Sequence, residues 1–151
     1  MNSRQRPDEN LALTIARTTF EKLQRSHPVL ESTIREDPNV DLVMEWPRQP
    51  GLAFPILLGF QELDELHLCA ADLWCQWFPC TDAKVVEEFV ELVNGLIDGR
   101  ARIVQTLHRG AIIKAELQSP TESGWRTRAT WSKVNLTIVP RRTETRIVQS
   151  T

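Results

Sequence analysis

The 151-residue chain has no tyrosine, only six glycines and three cysteines, and no apolar run of bilayer-spanning length. Three thiols cannot all pair within one chain, which excludes a disulfide framework. Met1 to Asp8 is polar and lacks the apolar stretch of a secretory signal, so a soluble protein in a reducing cytoplasm is expected. The scattered glycines form neither GxGxxG nor GxxxxGK[ST], so no phosphate-cradling loop is expected. Nor do His27, His67 and His108 fall into an HxH, HExxH or comparable catalytic pattern.

The cysteines are also poorly spaced for metal binding. Structural zinc sites draw on close pairs such as CxxC. Along one extended strand at roughly 3.3 Å per residue, Cys69 and Cys75 would lie about 20 Å apart. Burial in the core is the expected role of both, and no metal or cofactor is expected. Cys80 follows Pro79 near the start of a helical pattern, where a helix N-terminus would lower its pKa, making it a weak nucleophile candidate.

Hydrophobic residues make up 41% and charged residues 25% of the chain, a balance that supports a globular core without staples. Residues 1–140 are expected to form one α+β domain, with 141–151 a polar C-terminal tail or edge strand. From Glu9 to Arg25, Ala12, Ile15, Ala16, Thr19, Phe20 and Leu23 recur at helical spacing. Val29 to Ile34 suggests a short second helical segment before Pro38. From Val40 the period becomes two: Val40, Leu42, Met44 and Trp46 mark one strand, and Phe54, Ile56, Leu58 and Phe60 another.

A third strand is expected from Leu66 to about Phe78, with Leu66, Leu68 and Trp74 on one face and Leu73, Cys75 and Trp77 on the other. Asp72 interrupts it and suggests a structural partner across the sheet or a bulge. Thr81 is the expected N-cap of a helix from Val85 to Ile97 whose apolar arc is unusually broad, ending at Asp98-Gly99. Strands at 101–107 and 111–117 flank the His108-Arg109-Gly110 turn, followed by 125–131 and 136–139. The expected architecture is a two-layer α+β fold: two main helices on an antiparallel sheet of about six strands, in the order α-βββ-α-βββ. That order resembles type III secretion chaperone-like folds over most of the chain, without any accompanying motif. The resemblance implies partner binding.

The halves differ in charge: residues 1–98 hold eight Lys/Arg against seventeen Asp/Glu, and residues 99–151 hold ten against three. Mutual neutralisation within one domain is the simplest reading. The excess apolar surface points first to a non-catalytic interaction module of adaptor, chaperone-like or immunity-like type, with Trp74, Trp77 and Phe78 as its candidate interface. Its expected partner is a protein or a second copy, with nucleic acid disfavoured and no membrane involved. A second reading is anion or nucleic-acid binding through a basic sheet face of Arg102, Lys114, Arg126 and Arg128. Trp125, Ala129 and Trp131 would then face the core. A small enzyme or hydrophobic-ligand binder, with a pocket assembled only in space, is the third.

Overall fold

A computed structural model describes residues 7–133 and 142–150. The helical period of the first segment becomes α1 (Pro7–Ser26), which buries Ala12, Ala16, Phe20 and Leu23. The second amphipathic segment becomes α2 (Ala83–Asp98). Its N-cap is Asp82 rather than Thr81: the Asp82 side chain accepts from the Lys84 N–H, while its backbone is extended. Gly99 closes the helix in the left-handed region at φ 76°, where a side chain would be strained.

Among the described residues nine strands form two antiparallel sheets, so the fold is α+β, but its sheets differ from the six-strand expectation. The first sheet comprises β1 (Thr33–Arg35), β2 (Leu42–Trp46), β3 (Ile56–Gln61), β4 (Glu65–Ala70) and β5 (Leu73–Trp77), paired in chain order. The second comprises β6 (Arg102–His108), β7 (Ala111–Thr121), β8 (Gly124–Ser132) and β9 (Glu144–Val148), in the order β8-β7-β6-β9. Five strands thus precede α2, which departs from the chaperone-like order. The segment expected to be a short helix near Ile34 is instead β1, paired with β2. The strand expected at 136–139 lies outside the described residues.

The single run from Leu66 to Phe78 is a hairpin. Ala71 and Asp72 adopt φ 45° and 66°, a tight turn between β4 and β5. Reversing the chain there changes the side-chain parity. Leu66, Leu68 and Ala70 now pair with Trp77, Cys75 and Leu73, and all six point into the core. Trp74 and Gln76 point away.

Both helices cover that core face. Phe89 of α2 lies 6.5 Å from Phe20 of α1 and 5.4 Å from Trp77 of β5, ring centroid to centroid. Ile103, Ala115 and Leu117 join the second sheet to the same cluster. A buried amide ties the sheets together: Gln105 donates to the Ala71 carbonyl at 2.8 Å and accepts from Arg146 Nε at 2.8 Å. It also reaches Asp72 Oδ2 at 3.4 Å, so the structural partner of Asp72 is an amide held by an arginine.

Candidate functional site: the open face of the five-stranded sheet

Opposite the helices, the first sheet displays two complete rows set by register. Thr33, Glu45, Leu57, Cys69 and Trp74 form one; Arg35, Val43, Gly59, His67 and Gln76 form the other. The second row is largely covered. A Cβ on Gly59 would sit 3.4 Å from Val40 Cγ1, so the chain entering β2 lies over this position. The turn that delivers Val40 is fixed by Asp37, whose carboxyl receives the Asn39 N–H and the Arg35 guanidinium. Those two contacts, the backbone one first, hold its pKa below the ordinary carboxylate range. His67 is 5% exposed, with Nε2 2.9 Å from Glu65 Oε2 and Nδ1 3.4 Å from Gln61 Nε2.

The first row remains open. Glu45, Leu57, Cys69 and Trp74, with Asp72 and Trp131 beside them, line a shallow depression of about 440 Å³. Trp74 is 45% exposed, and its ring is tilted against His67 at 5.3 Å. Leu57 and Cys69 are half-buried without any helix above them. Phe78, just beyond β5, is 55% exposed. Of the three aromatic residues expected at an interface, Trp74 and Phe78 are therefore on the surface, whereas Trp77 is 8% exposed and packs on Phe89.

The four candidate cations are not gathered on one face. A β-bulge separates the Leu117–Ala129 and Gln118–Thr127 pairs and inserts Arg128 into β8. Beyond it the parity of β8 reverses. Arg126 pairs with Ser119 on the core-facing side, and Trp125 pairs with Pro120 on the outer side rather than facing the core. Arg128 reaches α2, bonding Glu88 at 3.0 Å and lying 3.6 Å from Glu91. Arg102 stays outside, bonded to Gln118 and 4.0 Å above the Trp125 ring, while Lys114 pairs with Glu116 at 3.4 Å. Three of the four thus have partners within the chain.

The thiols are poorly suited to nucleophilic chemistry. Burial pushes Cys75 up to about 12 and Cys80 up to about 11, and raises Cys69 as well. Cys80 sits beneath the two helices with its Sγ 3.5 Å from the Ala12 carbonyl, so desolvation outweighs any benefit of the nearby helix start. Among the described residues no thiol is hydrogen-bonded to a histidine, and no helix is long and apolar enough to cross a membrane.

The alternation of Leu57 with the core residues Ile56 and Leu58 is the one local signal of the depression in the sequence; its floor depends on the Ala71-Asp72 turn and on Trp131 arriving from the other sheet. No family model, curated protein or solved structure matches the chain.

Proposed function

We propose that the protein is a non-catalytic interaction module whose docking surface is the open face of the five-stranded sheet. One observation carries this reading. In a sheet covered by helices on one side, the other face is ordinarily polar. Here Leu57, Cys69 and Trp74 form an unbroken apolar stretch on β3, β4 and β5, ending at a half-exposed indole. An apolar row that no helix covers and that ends in an exposed indole is the kind of surface that marks binding sites, and tryptophan is the residue most enriched at their energetic centres. The raised thiol pKa values count against nucleophilic catalysis at Cys69, Cys75 or Cys80. The internal partners of Arg102, Lys114 and Arg128 count against an anion-binding face.

Photo-crosslinking in cells tests the reading. A benzophenone side chain at position 74 should yield discrete adducts, while the same group at Thr127, exposed on the second sheet, should yield few. Equal adduct formation at both positions would contradict a docking face at Trp74. Sedimentation velocity of the purified chain separates a second copy from a different protein as the occupant.

A further inference from the structure

The chemistry around Trp74 narrows the occupant, on the premise that this face is indeed the docking surface. Two indoles, Trp74 and Trp131, border the depression, and among the described residues its charged lining consists of Glu45 and Asp72, with no lysine or arginine. Glu45 is the one charged side chain in its cross-strand row, is half-buried, and has no hydrogen bond or ion pair among the described residues. Among the described residues Asp72 receives only the long bond from Gln105, and it is otherwise exposed.

Indole faces attract cations, and a carboxylate beside them adds a directed, charge-assisted hydrogen bond. A planar guanidinium satisfies both demands better than a compact ammonium. The molecule already makes such a contact internally, where Arg102 lies 4.0 Å above Trp125. Trp74 has no comparable cation within the described residues. The depression is also shallow and runs across several strands, which suits an extended segment rather than an enclosed small molecule.

We infer that the open face binds an extended segment of a partner protein that presents an arginine, with the guanidinium held at Trp74 and Trp131 and balanced by Asp72, while Glu45, three strands along the same row, adds to the negative charge of the face. Apolar neighbours of that arginine cover Leu57 and Cys69. The recognised chemistry is a basic, apolar peptide.

Titration of the full chain with a capped peptide of alternating leucine and arginine tests this, read by the five tryptophan indole N–H signals in two-dimensional NMR. The signals of Trp74 and Trp131 should shift saturably, while those of buried Trp46 and Arg102-capped Trp125 stay in place. Replacing arginine by neutral citrulline should abolish the shifts, and Asp72→Asn, which keeps a residue that tolerates the positive φ of the turn, should weaken binding about ten-fold. Equal binding of the citrulline peptide would overturn cation recognition while leaving an apolar docking face. Binding of the arginine peptide without any shift at Trp74 would overturn the docking face as well.

Discussion

The open face of the five-stranded sheet and the outer face of the four-stranded sheet each expose one tryptophan, but they are completed differently. Trp125 is capped by Arg102, and around it Gln118, Thr127, Glu116 and Lys114 make a polar surface whose charges pair with one another. Among the described residues no lysine or arginine caps Trp74, whose ring leans on His67 and whose row continues into Cys69 and Leu57. An indole satisfied within the chain is part of a solvated surface. One left beside apolar neighbours and an exposed carboxylate is surface available to something else.

The comparison can be sharpened first at its boundary with the core. Trp77 and Trp74 lie on the same strand with opposite orientations. Trp77→Ala should cost about 3–5 kcal/mol in urea unfolding, because it empties a site packed on Phe89. A loss below about 1 kcal/mol would mean that β5 is not anchored as described.

Gln105→Ala should come next, at about 1–3 kcal/mol, since it strands the Ala71 carbonyl and Arg146 at the junction between the sheets. Hydrogen exchange should accelerate at the Ala71-Asp72 turn more than at the β6–β7 hairpin. Uniform acceleration would contradict a local clamp. Arg102→Ala should cost only about 0.5–1 kcal/mol, the worth of an exposed cation–π contact, but should leave Trp125 as bare as Trp74. Enhanced acrylamide quenching of Trp125 would report that change.

Thiol ionisation supplies a pH test. The folded pKa values of Cys75 and Cys80, about 12 and about 11, lie above the ordinary 9.0. Above pH 9 the unfolded chain releases these protons while the native protein retains them, so stability falls as pH rises toward 11–12. Below pH 9 the two thiols leave stability flat. Cys75→Ser and Cys80→Ser together should reduce the alkaline slope in pH-dependent unfolding, and an unchanged slope would contradict burial as its source.

Much of this architecture was legible in the chain, and the illegible parts share a cause. Phe20 and Leu23 on α1, Phe89 and Leu96 on α2, and Gly110 at the β6–β7 turn all announce their elements through periodicity or backbone demand. Ala71-Asp72 does so only faintly, because aspartate tolerates positive φ but alanine rarely adopts it, and no glycine stands in the turn. Without that turn β4 and β5 read as one strand, with Trp74 alongside Leu66. The bulge at Arg128 has no sequence signal, and a regular β8 would carry Arg126, Arg128 and Trp125 on the opposite sides from those they occupy. A one-residue change of parity moves every later side chain to the opposite face, so sheet surfaces are more fragile inferences than sheet cores. The Leu57–Cys69–Trp74 row depends on three registers at once and could be seen only after folding.

The unfolding free energy of Trp74→Ser, beside that of the wild-type chain, tests most directly whether the exposed row is kept for a partner rather than for the fold. An indole serving a docking face should be removable at a cost of about 1 kcal/mol or less, since it lies outside the core cluster. A loss approaching that of Trp77→Ala would show that Trp74 holds the sheet itself together, and would contradict the account.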